Sequence, residues 1–239
     1  EGKSELYQYL SINNKLAFIN LEDSIQVQKA ADLKFFSFGI KKENADVNII
    51  DVKANPFVEI NFSNLIIKSH LIGLYNANNI NAALTIGKYF GVDDIAIKEG
   101  LESYIPENNR SQLLSKGTNQ IILDAYNANP SSMKVAIENF LQLDNPNKIM
   151  ILGDMFELGD ASTQEHLEVL KLLLDKNEIQ CFFIGSAFYA NKTVTTHFHF
   201  YETFDSFSEY LKEIKIVNSV VLIKGSRGMA LERTLQFFS

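Results

Sequence analysis

From residue 118 onward the sequence predicts a doubly wound, mostly parallel α/β sheet, and three observations carry that expectation. Short apolar runs recur at 121–123, 149–152, 181–184, 198–201 and 220–223. Amphipathic stretches separate most of them, at 131–143, 162–175 and 204–214, with a weaker one near 187–192. Polar loops then follow three of the runs directly, at 124–130, 153–159 and 224–228. Strands alternating with helical stretches pair in parallel through crossover helices, and ligands of such sheets bind beyond the carboxyl ends of the strands.

The remaining elements follow in order. The segment 111–114, ahead of the Lys116-Gly117 turn, adds an antiparallel strand at the sheet edge, so the domain is a six-stranded, mostly parallel sheet. A last helix is expected over 227–238. The first hundred residues read differently. Strands at 16–20 and 33–39 surround a helix near 23–31. Three closely spaced strands come next, at 47–52, 58–62 and 65–69, the last two joined by a Ser63-Asn64 turn. Helices at 76–90 and 93–103 complete this half, and the polar stretch 106–109 marks the boundary between domains 1–107 and 108–239.

A chain of 239 residues is long enough for two domains, each burying its own core. The net charge of −7, with no Lys/Arg stripe to offset it, argues against a nucleic-acid surface. The lone Cys181 allows no intrachain disulfide and fits a reducing compartment. No apolar run approaches a bilayer span, so no membrane insertion is expected. The chain opens without Met and inside a helical pattern, which reads as a piece of a longer protein.

Three loops carry the candidate chemistry. Asp124-Ala125-Tyr126-Asn127-Ala128-Asn129-Pro130 sets a carboxylate, a phenol and two amides at a strand end. Locally it is also a strand-to-helix loop in which Asn129 caps the helix and Pro130 takes its first turn. Gly153-Asp154-Met155-Phe156-Glu157-Leu158-Gly159 places two carboxylates close together. Lys224-Gly225-Ser226-Arg227-Gly228 offers two cations, a hydroxyl and backbone N–H groups at a helix start, which suits an anion. His166 is expected on the polar side of its helix, and His197 and His199 on one exposed strand face. Neither the G-x-x-x-x-G-K-[ST] phosphate loop nor a G-x-G-x-x-G fingerprint occurs.

With these residues in view, the chain resembles the C-terminal part of a Mur ligase, in the branch that adds D-alanyl-D-alanine. The resemblance rests on the 124–130 run, Arg110-Ser111-Gln112, Leu152-Gly153-Asp154-Met155 with Glu157-Leu158-Gly159 and His166, and Lys224-Gly225-Ser226-Arg227. Gly73-Leu74-Tyr75-Asn76-Ala77-Asn78-Asn79 resembles the family's G-x-H-N-x-x-N segment, with Tyr75 in the histidine's place.

The resemblance implies the end of a central ATPase domain, its phosphate loop upstream of Glu1, followed by a Rossmann-like domain. It implies a cytoplasmic, monomeric ligase of peptidoglycan precursor synthesis. ATP would activate UDP-N-acetylmuramoyl tripeptide as an acyl phosphate, and D-alanyl-D-alanine would attack it. Asn76 and Asn79 would serve the nucleotide, with Asn79 on the adenine. Arg110 and Asp124 would hold the nucleotide from the second domain. Tyr126, Asn127, Asn129, Lys224, Ser226 and Arg227 would face the second substrate or the acyl phosphate. Lys3 falls where the family carries a carbamylated lysine that ligates Mg²⁺.

Two other readings stay open on the sequence. A non-catalytic Rossmann-like nucleotide-binding module is one, favoured by the absent phosphate loop. A sister amide ligase such as folylpolyglutamate synthase is the other, and the Asn127-Ala128-Asn129-Pro130 run speaks against it. Residues 1–239 alone are expected to carry out no ligation.

Overall fold

The structure, a computed structural model, describes residues 2–107 and 109–238, the side chains of Gly2 and Lys3 excepted. The chain divides between Ile105 and Pro106 into two compact units.

In the first unit, α1 (Gly2–Ile12) leads to β1 (Leu16–Asn20), α2 (Ser24–Lys29), β2 (Lys34–Ile40) and β3 (Val47–Ile49), whose strands pair in parallel. A separate antiparallel sheet joins β4 (Asp51–Ala54), β5 (Phe57–Phe62) and β6 (Leu65–Ile72). Ser63 and Asn64 both take positive φ, 50° and 64°, the tight hairpin turn whose twist suits paired strands. Next come α3 (Ala77–Tyr89) and α4 (Asp94–Ser103), the latter capped by Asp93, which accepts the Ile95 N–H. Ala77, Ile80 and Leu84 of α3 and Ile97 of α4 bury one core with Val47, Ile49, Val58 and Ile60.

The strand expected at 47–52 is two strands in two sheets, broken at Ile50. The Ile50 N–H donates to the Asn61 carbonyl (2.8 Å), so the chain changes partners there and leaves Ile50 half exposed. An apolar run reports burial; it does not report which neighbour a strand pairs with.

The second unit contains β7 (Gln112–Lys116), β8 (Asn119–Asp124), α5 (Pro130–Leu141), β9 (Lys148–Gly153), α6 (Ser162–Leu173), β10 (Ile179–Ile184), α7 (Ser186–Ala190), β11 (Phe198–Tyr201), α8 (Phe204–Glu213) and β12 (Val220–Lys224). The strand order is β11-β10-β9-β12-β8-β7, parallel throughout except for the β7–β8 pair. This is the doubly wound sheet with an antiparallel edge that the sequence predicts. Alternate residues face opposite sides. Ile121, Leu123, Ile151, Phe182, Val221 and Ile223 meet Phe207 and Leu211 of α8 on one side. On the other, Phe183 packs on Phe188 of α7, whose ring meets His166 of α6, and α5 lies beside α6.

The single helix expected at 227–238 is instead two 3-10 segments, Arg227–Met229 and Leu231–Phe237, separated by Ala230 in the left-handed region (φ 47°, ψ 46°). The break sends Leu231, fully buried, into the sheet core. Its Cδ1 lies so close to Gly153 and Gly225 that a Cβ on either would approach it to 2.9 Å. No helix among the described residues is long and apolar enough to cross a membrane.

Cys181 is fully buried in β10, and burial pushes its thiol up to about 12. Only the thiolate is nucleophilic. Native protein at neutral pH is therefore expected to resist thiol-specific reagents, with one equivalent of label appearing only in denaturant. Rapid labelling of the native chain would place Cys181 in a looser region than the structure does.

Candidate active site

The carboxyl ends of β8, β9, β10 and β12 lie along one edge, and the loops that leave them are built from different chemistry for different tasks. After β8 the chain turns straight into α5. Asn129 Oδ1 accepts the Ser132 N–H (2.9 Å), Ser132 Oγ accepts the Asn129 N–H (3.1 Å), and Pro130 occupies the first turn. The capping expected from the sequence is present, and it occupies Asn129 Oδ1.

Parallel pairing of β8 with β12 places Lys224 opposite Asp124. Lys224 Nζ donates to Asp124 Oδ2 at 2.5 Å and reaches the Asn127 carbonyl at 3.3 Å. The lysine side chain is only 2% exposed and the aspartate 16%. Asp124 Oδ1 accepts the Ser111 N–H (3.1 Å) and faces Ser111 Oγ (3.4 Å). Both carboxylate oxygens are thus engaged by the protein itself. Lys224 lies beneath the surface, behind Asp124.

A second buried carboxylate organises the neighbouring loops. Asp154 accepts the Ala187 and Phe188 N–H groups (2.9 and 3.0 Å) at the start of α7. Gly185, at φ +126°, leaves it room, since a Cβ there would sit 2.2 Å from the Asp154 carboxyl carbon. Ser226 N–H donates to the Asp154 carbonyl (3.1 Å), and Ser226 Oγ accepts the Phe156 N–H (2.8 Å). Ser226 is itself buried and ties the loop after β9 to the loop after β12.

The histidines correct the sequence reading. His166 is not on a polar face: it is fully buried, because the loop after β9 needs an acceptor there. Its Nε2 accepts the Met155 N–H (3.1 Å), and its Nδ1 meets the Ser162 carbonyl at 2.7 Å, which places the ring proton on Nδ1. His197 and His199 do not share an exposed face either. His197 precedes β11 and is buried, with Nε2 3.2 Å from the Leu173 carbonyl. His199 stacks on Phe182, and burial, with a smaller effect from His197, holds it below the usual imidazole range.

Exposed at this edge are Arg110, Tyr126, Asn127, Asn129 and Arg227, together with Phe156 and Glu157 of the loop after β9. The Arg110 guanidinium carbon lies 3.8 Å from the centre of the Tyr126 ring, and that of Arg227 lies 6.0 Å from it. Asn127 Oδ1 accepts the N–H of Ala128 (2.9 Å). The geometry gives a cationic, hydrogen-bonding surface suited to an anion.

Asn76 and Asn79 belong to the first unit. Asn76 is buried, donating to the Ile72 carbonyl (2.8 Å) and accepting from Asn79 Nδ2 (3.0 Å). Asn79 is exposed and can offer both a donor and an acceptor to a base edge. The Lys3 side chain lies outside the described residues. Among the described residues no group of three or more His, Cys, Asp or Glu could hold a metal.

Sequence reasoning missed the organising roles of Asp154, Ser226 and His166. The signal available was their common position just past, or packed under, an apolar strand end, where a polar residue is either exposed or fully satisfied.

Two family descriptions match the chain in tandem: the Mur ligase middle domain over residues 1–87 and the Mur ligase glutamate ligase domain over residues 109–227. The UDP-N-acetylmuramoyl-tripeptide–D-alanyl-D-alanine ligase of Rickettsia prowazekii is 25% identical over 100% of this chain and 56% of its own length. The Bacillus subtilis protein of that name is 28% identical over 99% of this chain and 53% of its own. A crystal structure of MurF from Acinetobacter baumannii superposes with a TM-score of 0.75 at 26% identity, covering 98% of this chain and 53% of that one. MurF from Thermotoga maritima in complex with ADP gives 0.74 at 24% identity, covering 94% and 53%. The chain spans about half the length of the curated relatives it matches.

The Lys224–Asp124 pair yields a stability test. Removing one partner of a buried pair strands the other charge, at a cost of about 3 kcal/mol or more. Lys224→Met should lower the urea midpoint accordingly, and the double variant with Asp124→Asn should recover much of the loss. Equal stability of Lys224→Met and the parent chain would refute a structural role for the pair.

Proposed function

The chain belongs to the Mur ligase family, and from that premise we propose that it is part of a cytoplasmic ATP-dependent amide ligase that joins D-alanyl-D-alanine to UDP-N-acetylmuramoyl tripeptide in peptidoglycan precursor synthesis. One observation of the structure carries the reading. The carboxyl edge of the second unit's sheet sets two exposed guanidinium groups on one aromatic ring, above a buried Lys–Asp pair. Phosphoryl transfer and acyl-phosphate capture depend chiefly on positioning and charge neutralisation, which such an edge supplies. The names of the relatives add the substrates.

ATP supplies the phosphoryl group that activates the terminal carboxylate of the tripeptide, and the dipeptide amine then displaces phosphate to form the amide. On this reading Arg110 and Arg227 bind phosphate oxygens through their planar forks. Asp124, held by Lys224 and Ser111, keeps the nucleotide-facing end of β8 in place and presents a carboxylate edge suited to ribose hydroxyls. Tyr126, Asn127 and Asn129 line the approach of the acceptor dipeptide, while Lys224 and Ser226 act from below the surface by fixing the loops. Within the first unit Asn76 orients Asn79 through their shared hydrogen bond, and the Asn79 amide suits a base edge.

Phosphate release by the intact protein should require ATP, the UDP-muramoyl tripeptide and D-alanyl-D-alanine together. Asp124→Asn should lower turnover by about 10-fold or more, since one lost charge-assisted hydrogen bond is worth roughly 1.5–3 kcal/mol. Release that persists without the dipeptide, or unchanged kinetics in a folded Asp124→Asn protein, would count against the proposal.

A further inference from the structure

Arg110 is held in an unusual stretch of backbone. Its two neighbours, Asn109 and Ser111, both lie in the left-handed region, at φ 59° and 48°, although neither is glycine. Serine is unfavourable there and asparagine less so, and two such residues flanking one position persist only where the surroundings determine them. Two tethers do so, one on each side of Arg110. The Asn109 carbonyl accepts the Tyr126 N–H (3.1 Å), and the Ser111 N–H donates to Asp124 (3.1 Å). The same strand end, Asp124 to Tyr126, thus grips the chain before and after the arginine. The result is van der Waals contact between the Arg110 guanidinium and the Tyr126 ring, 3.8 Å to the centroid.

Arg227 arrives from another element, just past β12, and its guanidinium carbon is 6.0 Å from the same ring. Among the described residues the carboxylate oxygen within 4.0 Å of it is Glu232 Oε1, 3.9 Å from Nη1. Among the described residues Arg110 has no carboxylate within 4.0 Å. Two like charges gathered on one ring, with so little anionic compensation, are a ready receptor for an external anion.

We propose that Tyr126 is a positioning residue that acts through its ring: it is the platform that sets Arg110 and Arg227 as a two-guanidinium receptor for a polyphosphate. The phenol oxygen is dispensable for this task, whereas the π-face is required, because the quadrupole attracts both cations. The identity of the polyphosphate as that of ATP rests on the ligase reading. The platform itself does not.

The experiment uses the chain of residues 1–239 and inorganic pyrophosphate as probe, comparing Tyr126→Phe with Tyr126→Leu. Tyr126 is 41% exposed, so neither change hollows the core. Pyrophosphate affinity is measured by titration calorimetry at two salt concentrations, and ring-current displacement of the Arg110 side-chain protons by NMR. Tyr126→Phe should keep both the affinity and the displaced shifts. Tyr126→Leu should lose the displacement and weaken pyrophosphate by about 5-fold.

Undiminished affinity in Tyr126→Leu would overturn the platform. So would equal losses in both variants, which would make the hydroxyl a direct ligand contact. Absence of pyrophosphate binding by the unaltered chain would overturn the receptor. In the intact protein, an ATP KM raised by Tyr126→Leu and not by Tyr126→Phe assigns the receptor to ATP. If the intact protein forms no amide, the ligase reading fails, while the calorimetry and NMR still judge the platform.

Discussion

The end of β8 depends on a lysine that has almost no contact with water. Burying an ammonium without a partner is prohibitive, so Lys224 at 2% exposure demands an anion. Parallel pairing supplies one, because the register that aligns β12 with β8 puts Asp124 directly beside it. The consequences spread from the carboxylate. Its second oxygen binds Ser111, which fixes the entry into β7, and the Lys224 ammonium also reaches the Asn127 carbonyl. Strand register, edge-strand entry and loop course are thereby tied to one charge pair. A hydrophobic pair would hold the strands together as well, yet would leave the loops without these anchors.

The same economy of position explains the glycines. Gly153 and Gly225 stand side by side at the ends of β9 and β12, where Leu231 fills the space that side chains would take. Gly185 makes room for the Asp154 carboxylate, which then caps the short helix α7. Each absent Cβ lets a buried group approach backbone closely. The loops are held by specific contacts rather than by length, and the exposed residues they carry are presented on a rigid edge.

Much of this fold was legible because parallel strands buried on both faces read as continuous apolar runs. The runs at 121–123, 149–152, 181–184, 198–201 and 220–223 are all strands, and the Asn129-Pro130 cap is where local chemistry puts it. What escaped the sequence depended on partners distant along the chain. Val47 to Val52 is uniformly strand-like, but the change of sheet at Ile50 is set by Asn61. Residues 227–238 have helical content, but the break at Ala230 is set by the pocket that receives Leu231. His166 read as polar because its helix is amphipathic, while its burial is dictated by the Met155 N–H eleven residues away.

The candidate site divides along the same line. Residues of the motifs were all visible by type, yet type alone assigned Lys224 and Ser226 to the surface beside Arg227. Burial separates them: Lys224 and Ser226 spend their polar atoms on Asp124, Asn127, Ala128 and Phe156, whereas Arg110, Tyr126 and Arg227 remain exposed. An inner layer of fully satisfied groups carries an outer layer of cations whose charge is only partly met within the protein. Screening acts strongly on exposed charge and weakly on buried charge. Salt should therefore weaken anion binding at the outer layer while leaving the inner pair, and with it the loop geometry, in place.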